Sequence, residues 1–286
     1  MTARPERVPA DEVRQRMLDA GRELALEAGA ALTIEHLRLE EVIQRARVPR
    51  SSVYRMWAYR GDYIDELLRY LAGTGSWFSQ RAVLDPETFD DIKRILEENA
   101  RLLATLEGRR ALLREVTRVT VTRNYTALTE STQWRLHMAL AATLGSTRSG
   151  EARNRIAAAL EASQLRSREA MAAVLGQLAA LVGLRPRDPA YTLDHLALAG
   201  GLLVQALALR NVQIQAAADA PEGPGLASAS DRSVVDSLLN TAIPGPGLHG
   251  QPAEWTLAAF SYLGVLDAFM ELDPDFTRPA ASPARD

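Results

Sequence analysis

The stretch Val42-Ile43-Gln44-Arg45-Ala46-Arg47-Val48-Pro49-Arg50-Ser51-Ser52-Val53-Tyr54-Arg55-Met56-Trp57 decides how this chain is read. Its first part closes a short helix predicted over Leu39–Ala46, with Val42, Ile43 and Ala46 on an inward face and Glu40, Glu41, Gln44 and Arg45 toward water. Arg47-Val48-Pro49 breaks that helix, and a second one, Arg50–Trp57, opens after a proline, which a first helical turn tolerates. Val53 and Trp57 are four residues apart and share a face. The other face carries Arg50, Ser51, Ser52, Tyr54 and Arg55, side-chain types that bond base edges and phosphate oxygens. Two short helices across a tight turn, the second basic at its start, suit a helix-turn-helix whose second helix enters the major groove.

The flanks agree. Upstream, Val13, Met17, Gly21, Leu24 and Ala28, widened by Leu18 and Ala25, form one stripe of a helix predicted over Asp11–Ala28. Asp11 and Glu12 lie at the positive end of its dipole, and Gly29 supplies a left-handed stop. Downstream, Ile64, Leu67, Leu68 and Leu71 give a buried side to a helix over Asp62–Leu71 that links this head to the rest of the chain. Arg4 and Arg7 precede the first helix and suit a flexible arm, residues 1–10, reaching a minor groove.

Residues 11–71 resemble the DNA-binding head of tetracycline-repressor (TetR) type regulators. The resemblance rests on Val42-Ile43-Gln44-Arg45-Ala46 and on Val48 through Trp57 with Arg60 and Ile64, set against a signature of approximately Gly-Val-Ser, three variable residues, an aliphatic, then Tyr-x-x-Phe-x-x-Lys. Carried over by position, it implies that Tyr54 bonds a phosphate, that Trp57 takes the place of the packing phenylalanine, and that Arg60 replaces a phosphate-binding lysine. Arg50, Ser51 and Ser52 would meet bases or nearby phosphates, with Arg47 and Arg55 beside them. Two positions depart from the pattern. Arg47 stands where the family usually has glycine, and Pro49 where it usually has a capping serine.

Composition bounds the remainder. The chain has 286 residues, 47% of them hydrophobic, rich in Ala and Leu and without strand-like alternation, so an all-α protein is expected: a three-helix head and a larger helical bundle over 72–273. The net charge of −3 argues against a general nucleic-acid coat, but its distribution is uneven. Residues 45–60 hold five arginines and no acid, whereas residues 61–286 hold 22 basic and 27 acidic side chains. Cysteine is absent, which excludes disulfides, thiolate metal sites and cysteine nucleophiles, and the four histidines have no metal-motif spacing; no metal or cofactor is expected. Phosphate-cradling glycine loops and Gly-x-Ser-x-Gly are also missing, so no enzymatic activity is expected.

The polar start of the sequence lacks a signal-peptide core, which reads as cytoplasmic. The apolar run Leu193–Leu209 reads as a buried helix short of the ~20 residues a bilayer requires. Body helices are predicted at Glu87–Leu106, Arg109–Tyr125, Gln133–Leu144, Glu151–Val182, Pro189–Ala217, Ser233–Ala242 and Glu254–Leu272, with surface loops at 220–225 and 244–247 and a disordered tail over 274–286. The family resemblance implies a homodimer on a palindromic operator of double-stranded DNA, released by a small-molecule effector. Pro189–Ala217 and Glu254–Leu272 suit the pairing surface, and Trp77, Phe78, Trp134, His137, Met138 and His195 are effector-cavity candidates by type. The alternatives are a DNA-binding protein whose body is an interaction platform without a pocket and, more distantly, an all-helical small-molecule carrier or enzyme.

Overall fold

Apolar stripes at helical spacing become helices through most of the computed structural model, which describes residues 9–27, 37–73, 86–146, 150–218 and 236–277. The fold is all-α in class, with two small antiparallel strand pairs added. The chain divides into two compact units, one of residues 1–77 and 131–166, the other of residues 78–130 and 167–286. The division is discontinuous: a segment from the middle of the sequence packs with the N-terminal head, where the sequence suggested one boundary near residue 71.

The first unit contains α1 (Ala10–Glu27), α2 (Leu39–Ala46), α3 (Arg50–Met56), α4 (Arg60–Gly73), α7 (Thr132–Ser146) and the first half of α8 (Glu151–Val182). Its core joins Val13, Met17 and Leu24 of α1 to Val42 and Ile43 of α2, Val53, Trp57, and Tyr63 and Leu67 of α4; Leu136 and Leu140 of α7 complete it. A small satellite cluster, Ala72 with Ile156 and Leu160, ties α8 to the end of α4.

The second unit contains α5 (Pro86–Glu98), a 3-10 turn (Ala100–Ala104), α6 (Leu106–Glu130), the rest of α8, β1 (Leu184–Pro186) and α9 (Leu193–Ala218). After helical residues 236–240 come β2 (Ile243–Pro246), a 3-10 turn (Leu248–Gly250), β3 (Pro252–Trp255), α10 (Leu257–Phe269) and β4 (Met270–Leu272). Helices α6, α9 and α10 pack against one another. Gly183 ends α8 with φ +70, and a Cβ there would collide with Phe276. Phe276 also covers buried Arg109, whose guanidinium donates to the carbonyls of Val182 (2.9 Å) and Asp273 (2.8 Å). The packed chain therefore reaches Phe276, inside the stretch the sequence assigned to a disordered tail.

Several expected boundaries are corrected. The helix expected over Glu87–Leu106 stops at Glu98, and a 3-10 turn intervenes before α6, which runs on to Glu130. The helix expected over Glu254–Leu272 is strand, helix, strand: β3 pairs with β2, β4 pairs with β1, and the hydroxyl of Thr256 caps α10 by accepting from the Ala259 N–H (3.2 Å). The Pro/Gly loop expected at 244–247 largely forms β2, held where the indole of Trp255 donates to the Pro246 carbonyl (3.2 Å). In α9, residues Leu193–Ala216 are long and apolar enough to cross a bilayer, which corrects the shorter estimate; 39% of that window is buried within the protein.

Candidate nucleic-acid interface

The turn between α2 and α3 is made by an unusual residue for its conformation. Arg47 adopts φ 53, ψ 45, the left-handed region, and its N–H donates to the Gln44 carbonyl (3.3 Å). The family departure noted at this position thus falls on a backbone geometry that glycine adopts without steric cost. Val48 then buries, and Pro49 caps α3 with its carbonyl, which accepts from the N–H groups of Ser52 (3.0 Å) and Val53 (3.3 Å). No side chain caps α3.

Helical geometry splits α3 into two faces. Val53 is fully buried, and Trp57, which ends the helix in an extended conformation, is 2% exposed. The Trp57 ring meets Tyr63 edge-on at 5.2 Å and its N–H donates to Glu66 (2.8 Å), whose other oxygen pairs with Arg14. Burial alone would raise the Glu66 carboxyl; the hydrogen bonds from Arg14 and Trp57 outweigh it and hold the group below its ordinary value. The Tyr63 hydroxyl in turn donates to the Met17 carbonyl (2.9 Å). α3 is therefore fastened to α1 and α4 through its inner face.

Its outer face leaves Arg50, Ser51, Tyr54 and Arg55 exposed, with Ser52 half-buried and Arg47 exposed at the turn. The basic run does not act as one block. Arg45 turns away to make a two-pronged pair with Glu27 (2.7 and 2.8 Å), and Arg60 donates through Nε to the Leu37 carbonyl (3.1 Å). The Tyr54 hydroxyl donates to Glu40 (3.0 Å). Glu40 is held below its ordinary value by its own backbone N–H and by Tyr54, with the nearby charges of Arg50 and Arg38 adding to the effect. Arg38, Arg50 and Tyr54 thus surround one α2 carboxylate, and a phosphate arriving there would compete with it. Sequence reading missed one member of this surface, Arg38, at the start of α2 and close to Glu40.

Neither a scan against protein-family models nor a search of curated proteins finds a match for this chain.

The residues expected to line an effector cavity are scattered. Trp77 and Phe78 lie outside the described residues, as do Arg4, Arg7 and Gly29. Trp134 and His137 are buried on α7 in the first unit, with Met138 half-buried beside them. His137 lies 3.2 Å from the Gln164 amide, and burial pushes its imidazole down to about 4. His195 belongs to the second unit and is exposed, stacked on Phe269 and hydrogen-bonded to Thr192 (3.1 Å) at the start of α9. A cavity of about 260 Å³ does occur in the second unit, between the start of α6, β1 and the end of α10 with β4. None of the six nominated residues lines it. Its walls come from three stretches distant in sequence, which no local pattern joins.

Proposed function

We propose that this chain is a DNA-binding transcriptional regulator of the tetracycline-repressor type, a homodimer that reads an inverted-repeat operator through α3 and acts in the cytoplasm. The observation that carries the reading is the two-faced α3. Val53 and Trp57 lock it into the head while Arg50, Ser51, Tyr54 and Arg55 stand outward, after a left-handed turn at Arg47. That arrangement supports the reading of a helix-turn-helix with a base- and phosphate-compatible outer face. The five arginines of residues 45–60 divide into roles. Arg45 fastens the head, Arg60 holds the Leu37 carbonyl through Nε while staying exposed, and Arg47, Arg50 and Arg55 face outward.

The test is selection of bound duplexes from a random pool by the full-length protein, then titration of the winner over a range of salt. An inverted repeat bound far more tightly than random DNA, with affinity falling as salt rises, supports the reading; a folded protein that enriches no sequence sinks it. On the selected site, Arg50→Ala lowers affinity by ~1–3 kcal/mol if Arg50 reads a guanine. Arg60→Ala weakens all sequences alike, since it removes a phosphate-side cation and the link to Leu37.

A further inference from the structure

The cavity in the second unit is walled mainly by charged and polar groups, with Leu113, Leu263 and Met270 behind them offering little apolar surface. Most of that charge is already spent. Arg110 pairs with Glu107 (2.9 Å), outside the cavity. Arg187 pairs with Glu271 (3.6 Å) and donates through Nε to the Asp267 carbonyl, and Glu271 also takes Arg185 (2.9 Å). Two opposite charges remain. The guanidinium of half-buried Arg114 and the carboxylate of Asp267 have, among the described residues, no hydrogen bond or ion pair. They line the same cavity without meeting each other.

We propose that this cavity binds a small zwitterion of the amino-acid kind, its carboxylate on Arg114 and its ammonium on Asp267. The guanidinium fork matches a carboxylate in two parallel hydrogen bonds, and a half-buried cation without a partner has paid desolvation that such a ligand recovers. A simple anion would meet the carboxylates of Asp267 and Glu271, and a simple cation would meet the three arginines; a molecule bearing both charges meets neither conflict. The volume of about 260 Å³ is below the ~300–1,000 Å³ of drug-sized sites, which suits a molecule of amino-acid size. A role for this site as the effector site rests on the regulatory reading above, but the binding itself does not.

Isothermal titration of the full-length protein with L-leucine, L-valine and L-methionine tests the proposal, beside 4-methylpentanoate and 3-methylbutylamine, which keep one charge each. At least one of the amino acids binds saturably, and both singly charged analogues bind at least about tenfold more weakly. Arg114→Gln and Asp267→Asn each weaken the amino acid by a similar factor at an unchanged unfolding midpoint. Failure of all three amino acids at millimolar concentration on folded protein overturns the site, as does 4-methylpentanoate binding as tightly as leucine, or binding at wild-type strength by either variant. Repeating the titration on protein that selects no operator separates the two ideas, because amino-acid binding there would retain the site while the regulatory reading fails.

Discussion

Arg47 carries the steric cost of the turn on which the head depends. An L-residue in the left-handed region gives up ~1–2 kcal/mol relative to the right-handed one, and glycine gives up almost none. Arg47→Gly is therefore expected to raise the stability of the protein by up to ~1 kcal/mol, after allowing for the greater freedom of glycine in the unfolded chain. The same change removes an exposed cation from the face proposed to meet DNA, so stability and affinity move in opposite directions. Urea unfolding and operator titration on one variant check both; a loss of stability would show that the arginine side chain is needed to hold the turn. His137 makes a second residue-scale prediction. Burial holds its imidazole at about 4 in the folded protein against an ordinary 6.5. Between those values the unfolded chain binds a proton that the folded chain refuses, so stability is intact above the ordinary value and falls as pH drops from 6.5 toward 4. The full loss is of the order of 3 kcal/mol. His137→Gln, which keeps a polar group against Gln164, is expected to flatten that slope, measured as the urea midpoint at a series of pH values. An unchanged slope in the variant would assign the acid sensitivity to other groups.

At the scale of elements, α1, α3 and α4 are joined by a chain of polar contacts across an apolar core: Arg14 to Glu66, Trp57 to Glu66, and Tyr63 to the backbone of α1. Because Glu66 is held below its ordinary value of 4.5, its contribution is present above that value and disappears as pH falls through the lower folded one. Glu66→Gln keeps an acceptor for Trp57 but loses the charge facing Arg14, which is half exposed. The expected cost is therefore under ~1 kcal/mol at pH 7 and shrinks as pH falls through the lowered folded value. Paired urea melts at neutral and acid pH check it, and a difference that persists in acid would argue for geometry over charge. These elements were legible because each writes its own local signal. Val42, Ile43 and Ala46 mark α2, Val53 and Trp57 mark the inner face of α3, and Pro49 marks the break between them. Long-range pairings write none. Met270–Leu272 was read as the end of a helix because its partner, Leu184–Pro186, lies more than eighty residues away and the intervening α10 is apolar on all sides. Residues 131–166 were assigned to the body because Leu136 and Leu140 carry an ordinary helical stripe, and nothing local says which core receives it. The cavity was illegible for the same reason: Arg114 and Asp267 become neighbours only through the packing of α6 with α10.

At the scale of the whole molecule, the proposal needs two copies, since an inverted repeat presents its half-sites about one helical turn of DNA apart and one head covers only one of them. The second unit carries a surface suited to that pairing. On α9, Gly200, Val204 and Ala208 are buried, and a Cβ on Gly200 would strike the ring of Tyr262, so this face is taken up by α10 of the same chain. Leu198 and Leu202 lie two residues out of step with it, on the opposite side of the helix, and are 49% and 57% exposed. Phe260 on α10 and Leu238 are exposed as well, more large apolar surface than a lone chain gains by presenting to water. Gly200 thus serves close approach within one chain, and the leucines on the opposite side are the contacts available to a partner. Leu202→Asp places a charge where it costs the monomer nothing and an apolar interface a great deal. The wild-type protein is expected to sediment at twice its 31.3 kDa chain mass at micromolar concentration and the variant at the single mass, with the same helical circular dichroism. Affinity for the inverted repeat should then fall to that for a single half-site. A variant that stays dimeric would move the interface elsewhere, and a monomeric variant that still holds the full repeat at wild-type strength would separate dimerisation from operator recognition.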